Sequence, residues 1–162
     1  MRIALLAVFT LVCSAQTNVI AITAHAESPS VTIPPDFLGL SFETGSLTSA
    51  TGFPAENAQF RQMVSQLGLG WVRFGGNSVD KTTWIGGQRT SATPANSLTA
   101  SDVDRVAAFA RATGWRLLWG LRLANSSPST AAAEADYVIT SADDVLRGLE
   151  IGNEPDLFVR NG

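Results

Sequence analysis

Hydrophobic positions along the chain repeat with a period of two in some segments and with a helical period in others. Residues 37–43 alternate Leu38, Leu40 and Phe42 with small or polar residues, which is typical of a strand with two different faces. Short apolar runs predict three further strands, over residues 71–74, 117–123 and 149–151.

Helical spacing predicts three helices, over residues 57–67, 101–113 and 131–140. Gly68 and Gly114 follow the first two and are suited to helix C-termini. Ser101 with Asp104 three residues on resembles a capping box, which predicts that the second helix opens there. Residues 81–98 have no clear period and are predicted to be a loop.

Strands and helices alternate along the chain, which indicates an α/β fold with a parallel sheet and helices outside it. Four strands and three crossover helices correspond to half of a (β/α)8 TIM barrel. A complete barrel takes about 250 residues, and residues 27–162 account for roughly half of one. The chain is therefore expected to be the truncated N-terminal half of such a barrel, about four βα units, with the edge of its fourth strand unpaired.

The N-terminal residues have the pattern of a secretory signal peptide. Met1 and Arg2 precede an apolar run over residues 3–12, which is too short to span a bilayer. Small residues permit cleavage after Ala15 or after Ala26. We expect residues 1–26 to be removed and residues 27–162 to be secreted or periplasmic.

Composition narrows the possible chemistry. The net charge is −3 and Lys81 is the only lysine, so no basic run favours binding to nucleic acid. The single cysteine, Cys13, and the single histidine, His25, both lie in the predicted signal peptide. This excludes disulfides, Cys/His zinc sites and Ser-His-Asp triads within the mature chain. No metal or cofactor is expected, and catalysis must depend on carboxylates, amides and hydroxyls.

Polar side chains close each of the four predicted strands, where catalytic groups of parallel α/β proteins lie. In chain order they are Ser41 and Glu43; Asn77, Ser78 and Asp80; Arg122 and Asn125; and Asn153 and Glu154.

Period-two parity predicts which of these side chains share a face. Glu150 and Glu154 are expected on the inner face with Glu43 and Arg73, whereas Leu149 and Ile151 face the outer helices. Glu150 is expected to be the partner of Arg73. Glu43 either takes part in the site, caps the next loop or holds Arg73.

Two further residue types have alternative interpretations. Asn77 either belongs to the site or holds the turn in which it lies. Three of the four tryptophans, Trp71, Trp115 and Trp119, are expected to fill the core. Trp84 lies in the predicted loop and is the better candidate for stacking on a sugar.

Three stretches together resemble glycoside hydrolase family 79, the β-glucuronidases and heparanase-like enzymes of barrel clan A. They are F-L-G-L-S-F-E at residues 37–43, V-R-F-G-G-N-S-V-D at 72–80 and L-E-I-G-N-E-P-D-L-F at 149–158. The resemblance implies a secreted, retaining enzyme that hydrolyses O-glycosidic bonds of oligo- or polysaccharides, including those with uronic acids. It implies that Glu154 is the general acid/base and that Asn153 hydrogen-bonds the sugar 2-hydroxyl. Candidates for substrate binding are Glu43, Asn77, Ser78, Asp80 and Trp84, with Arg73 and Glu150 supporting the site.

The resemblance also implies features that this chain lacks. The nucleophile of the clan is a Glu at the end of strand seven, so the chain alone is expected to be inactive. Arg122 stands where the resemblance implies an Asn. Two alternatives remain: another clan A glycosidase, or a non-catalytic carbohydrate-binding or interaction module derived from one.

Overall fold

A four-stranded parallel sheet lies at the centre of the fold. In chain order the strands and helices are β1 (Leu38–Glu43), α1 (Ala58–Gln66), β2 (Gly70–Gly75), β3 (Thr83–Trp84), β4 (Ser97–Leu98), α2 (Ala100–Thr113), β5 (Arg116–Leu121), α3 (Pro128–Ala142) and β6 (Leu146–Ile151). The sheet order is β1-β2-β5-β6, and every pairing is parallel. The predicted α/β alternation around a parallel sheet is therefore confirmed.

A computed structural model describes residues 21–23, 31–49 and 52–158. The predicted signal peptide lies outside these ranges except for residues 21–23. All the elements above belong to one compact unit, Ile33–Gly162, and the described residues of the preceding unit, Met1–Thr32, form no helix or strand. In the described ranges, no helix is long and apolar enough to cross a membrane.

The helix ends follow from side-chain caps. Asn57 caps α1 by accepting the N–H of Phe60 at 2.9 Å, and the predicted bounds of this helix are confirmed within one residue. Ser127 caps α3 by accepting the N–H of Thr130 at 3.0 Å. Pro128 occupies the first helical position, where its missing N–H costs nothing. The third helix consequently starts three residues earlier than its apolar pattern indicated.

The predicted capping box at Ser101 and Asp104 is wrong. Helix α2 is capped two residues earlier by Thr99, whose N–H and hydroxyl both donate to the carboxylate of Asp102, at 3.0 and 2.7 Å. Asp104 instead accepts a hydrogen bond from the hydroxyl of Tyr137. Both Thr-x-x-Asp and Ser-x-x-Asp have the required spacing, and tertiary contacts of Asp102 select the first.

The predicted loop over residues 81–98 contains more structure than its sequence indicated. The two-residue strands β3 and β4 pair in parallel within it. Arg89 fixes the loop, because its guanidinium donates to the backbone oxygen of Ser97 and forms an ion pair with Asp102 at 2.6 Å. These contacts have no local sequence signature.

The core packs against one face of the sheet. Val72, Phe74 and Trp119 are fully buried in one cluster with residues of all three helices. Phe53 joins sheet to helix, since its ring centroid lies 4.8 Å from that of Phe74 and 5.0 Å from that of Phe109. Trp115 and Trp119 fill the core as predicted. Trp71, which was also expected there, is half-buried and lies outside the core cluster, because it has the same strand parity as Arg73.

Strand parity predicts which side chains share a face of the sheet, and the one difference is that the end of the edge strand is not covered. Arg73, of opposite parity to Val72, contacts Ser41 and Glu150, so the predicted polar face is confirmed for these residues. Leu149 packs against the core cluster. Ile151 is 66% exposed, contrary to expectation, because β6 is an edge strand of the described sheet and ends at this residue.

Candidate active site

A cavity of about 600 Å³ lies beyond the carboxyl ends of β2, β5 and β6. This is the edge at which parallel α/β proteins bind ligands. Its polar lining comes from turns that follow these three strands, and its apolar lining from the last described residues. The lining residues are Asn77, Asp80, Lys81, Ala124, Asn125, Asn153, Glu154, Leu157 and Phe158.

Glu154 lies beyond the end of β6 in left-handed backbone. The strand ends at Ile151, Gly152 has a φ of 69°, and Glu154 takes a φ of 48° and a ψ of 58°. A glutamate in this region costs of order 1 kcal/mol, because its Cβ crowds the backbone. The predicted break in the strand is present, but it begins at Gly152, ahead of Pro155.

The side chain of Glu154 is exposed and lines the cavity. Within the described part of the chain, its carboxylate makes no hydrogen bond and no ion pair. The carboxylate is therefore accessible to a molecule bound in the cavity.

Asn153 connects the cavity to the polar face of the sheet. Its Nδ2 donates to Oδ1 of Asn77 at 3.0 Å, and its Oδ1 accepts from Arg73 at 3.3 Å. Its backbone N–H donates to Asp80 at 2.9 Å. The amide is thus fixed in orientation, and one N–H of its Nδ2 remains for a ligand.

Arg73 and Glu150 form the predicted ion pair. Two parallel hydrogen bonds of 2.7 and 2.8 Å join the guanidinium to the carboxylate. Arg73 also donates to the hydroxyl of Ser41 at 3.1 Å. The hydrogen bonds and negative charge of Glu150 raise the pKa of Arg73 above its ordinary value, so the group that orients Asn153 stays charged.

Glu43 caps the turn after β2, whereas its predicted structural alternatives were the loop that follows it in the chain and Arg73. Its carboxylate accepts from the backbone N–H of Asn77 at 3.2 Å and of Ser78 at 2.7 Å, and from the Ser78 hydroxyl at 2.5 Å. These bonds, above all the one from the hydroxyl, lower the pKa of Glu43. Gly76 beside it has a φ of 72°, which favours glycine, and a Cβ there would displace the carboxylate.

Asp80 borders the cavity from the short 3₁₀ turn Val79–Lys81. Its carboxylate accepts three backbone hydrogen bonds, from the N–H groups of Leu123 and Ala124 at 2.8 Å each and from that of Asn153 at 2.9 Å. Asp80 therefore connects the turn after β2 to the ends of β5 and β6.

Trp84 is not brought together with Glu154. It is half-buried in β3, with its ring centroid 5.6 Å from that of Tyr137, and lines a second cavity of about 130 Å³. Arg122 and Glu134 also line this cavity, and Asn125 borders both cavities. Four of the predicted site residues line the first cavity, namely Asn77, Asp80, Asn153 and Glu154. Four others support it, namely Glu43, Ser78, Arg73 and Glu150.

Sequence reasoning did not anticipate Lys81 or Glu134. Lys81 follows Asp80 directly and lines the larger cavity. Glu134 is buried and accepts from Nε1 of Trp119 at 2.9 Å, and its burial raises its pKa to about 7. The only sequence signal was a carboxyl residue within an alanine-rich helix. Its burial could not be inferred from the sequence, because it depends on a tryptophan fifteen residues away.

Arg122 has a structural role at this end of the sheet. Its guanidinium donates to the hydroxyl of Thr83 at 2.8 Å and to the backbone oxygen of Ala124 at 2.7 Å. It thereby ties β3 to the turn that follows β5. An Asn, as the resemblance implies here, is too short to make both contacts.

Comparison with known proteins assigns no family to this chain. No model of a known protein family matches the chain, and no curated protein matches it significantly.

Proposed function

We propose that this chain is the N-terminal half-barrel of a secreted, retaining β-glycoside hydrolase similar to the β-glucuronidases of family 79. The observation that carries the proposal is the carboxylate of Glu154. It is exposed, unpaired within the described residues, and lines a cavity at the strand ends beside a fixed Asn153.

The proposed reaction needs one proton donor on the leaving-group side. A glycosidic oxygen leaves poorly unless it is protonated, so the carboxyl of Glu154 gives it a proton in the first step and later takes one from the attacking water. Asn153 contributes through its free N–H, which is directed to the sugar 2-hydroxyl. A contact of this kind strengthens as the ring approaches an oxocarbenium ion. Arg73 and Asn77 keep that amide in place.

A retaining mechanism also needs a carboxylate nucleophile. Glu43, Asp80 and Glu150 are each held by backbone N–H groups or by Arg73. Asp156, which is exposed, does not line the cavity. We therefore propose that the nucleophile lies outside this chain, in the rest of the barrel, and that this chain alone is inactive.

The proposed substrate is an oligo- or polysaccharide, and uronic acid units suit the cavity. Lys81, the only lysine of the chain, lines it and offers a positive charge to a sugar carboxylate. The cavity volume of about 600 Å³ lies within the range of small-molecule sites.

The leaving group tests the role of Glu154. In the complete enzyme that contains this chain, Glu154→Ala is expected to lower kcat/KM for alkyl or sugar glycosides by about 100- to 10,000-fold. Activated aryl glycosides, whose leaving groups need little protonation, are expected to lose much less. Initial rates on a matched series of glucuronides measure this difference. Glu56→Ala, a change to an exposed glutamate away from the cavity, serves as the control. Equal losses along the series would contradict the acid/base role.

A carbohydrate-binding module without catalysis is the second candidate. It is favoured by one observation: on the described rim of the cavity, only Glu154 has a carboxylate without a protein partner. A folded, monodisperse 162-residue chain that binds saccharides in calorimetry, and a complete protein that binds them without turnover, would support this alternative.

A further inference from the structure

Asp80 lies in the turn after β2, and its side chain reaches the ends of two further strands, β5 and β6. We propose that Asp80 is a positioning residue for the acid/base Glu154, and that it acts by fixing the backbone of Asn153. This inference rests on the proposed function. It assigns to Asp80 a task different from the sugar binding that its place in the motif indicated.

The hydrogen bonds of Asp80 divide between two elements. Oδ1 accepts the N–H groups of Leu123 and Ala124, both at 2.8 Å, in the turn that follows β5. Oδ2 accepts the N–H of Asn153 at 2.9 Å, after the end of β6. All three donors are backbone N–H groups, so these bonds fix the backbone path of both segments.

These N–H groups have no place in the sheet ladder. The last backbone bond between the two strand ends runs from the N–H of Gly152 to the oxygen of Leu121, at 2.8 Å. Beyond this bond, the segments that follow β5 and β6 are joined through the carboxylate of Asp80. The carboxylate therefore continues the connection between β5 and β6 at the residue before the left-handed backbone of Glu154.

A carboxylate suits this task better than an amide. Two oxygens with a full negative charge accept three N–H groups in short, charge-assisted bonds. An asparagine offers one accepting oxygen, and its NH2 group would face at least one of the backbone donors. Losing the bond to Asn153 frees the adjoining Glu154 from a backbone conformation that is intrinsically unfavourable.

The positioning role and a sugar-binding role differ in kinetics. Removing a side chain that only binds substrate raises KM and leaves kcat unchanged. Removing a side chain that orients the acid lowers kcat, because the acid is then misplaced in the transition state. A displacement of about 1 Å of the catalytic group costs about 100-fold in rate. The loss should also grow as the leaving group becomes poorer, because it acts through Glu154.

The test is Asp80→Asn in the complete enzyme, with Asp136→Asn as its matched control. Asp136 is exposed on α3, so the control removes the same charge away from the cavity. We expect D80N to lower kcat on poor leaving groups by about 100-fold, with KM changed by less than about threefold and a smaller loss on activated aryl glycosides. A raised KM with unchanged kcat, or equal losses on all leaving groups, would overturn the positioning role.

Two further outcomes are distinguishable. If the wild-type enzyme hydrolyses no glycoside, the proposed function fails, whatever D80N does. If D80N does not fold, amide hydrogen exchange of the wild-type chain decides: slow exchange at Leu123, Ala124 and Asn153 supports the bonds from Asp80. Exchange at these three amides as fast as in an unfolded chain would overturn the proposal.

Discussion

Four acidic residues around the cavity have four different surroundings, and these decide what each one can do. Glu43 is bonded to a turn, Asp80 to three backbone N–H groups and Glu150 to Arg73, whereas Glu154 faces the cavity without a partner in the described chain. The sequence placed all four at or near strand ends. It could not tell which one was free, because each partner lies at least 34 residues away in the chain.

Glu134 provides a prediction about pH and stability. Burial raises its pKa from an ordinary 4.5 to about 7. Between these values the folded chain keeps a proton that the unfolded chain has released, so stability falls as pH rises through this window and levels off above it. The expected pH-dependent contribution of Glu134 to the free energy of unfolding is of order 3 kcal/mol.

Glu134→Gln should remove this contribution, because the amide stays neutral and its oxygen still accepts from Trp119. Urea unfolding of both proteins between pH 4 and pH 8 measures it. The variant is expected to be the more stable protein at pH 8, and the difference should shrink toward pH 4. A difference that stays constant over this range would contradict the raised pKa.

At the scale of elements, the start of α2 shows how tertiary contacts choose between equal local signals. Thr99 and Ser101 each precede an Asp by three residues, so the local spacing does not distinguish them. Asp102 becomes the capping partner because Arg89 and Arg105 both pair with it, at 2.6 and 3.3 Å. The same long-range contacts explain why residues 81–98 have structure that their pattern does not indicate.

Asp102→Ala should therefore destabilise the chain strongly. It removes the cap of Thr99 and leaves Arg89 without its partner, and breaking such a buried pair costs about 3–5 kcal/mol. Asp144→Ala is the matched comparison, since its ion pair with Arg111 is largely exposed and should matter little. Chemical denaturation measures both changes. Similar losses for the two variants would contradict the account of this helix start.

Element boundaries were less predictable than element order. Strand β6 begins at Leu146, three residues before its prediction, because Arg147 and Gly148 interrupt the apolar pattern, whereas the pairing with β5 resumes at Gly148 after a register shift at Arg147. Strand β5 ends at Leu121 instead of residue 123, since the N–H of Leu123 is taken by Asp80. Pairing and side-chain contacts, which are not local, set both ends.

At the scale of the molecule, period and alternation were sufficient to predict a parallel sheet with its polar residues at one edge. The cavity at that edge contains four of the predicted site residues, and Arg73 and Glu150 meet beneath it as expected. Trp84 lies apart from Glu154 because it packs against Tyr137 of α3, a contact that could not be inferred from the local sequence.

The central claim is that Glu154 exchanges a proton with the leaving oxygen and with water, and chemical rescue tests it most directly. Azide is a small nucleophile that needs no base, so it can replace water in the second step when Glu154→Ala has removed that base. With an activated aryl β-glucuronide, we predict that azide accelerates the variant and that NMR of the product shows a β-glucuronosyl azide. No acceleration by azide, or an α-configured product, would contradict the account.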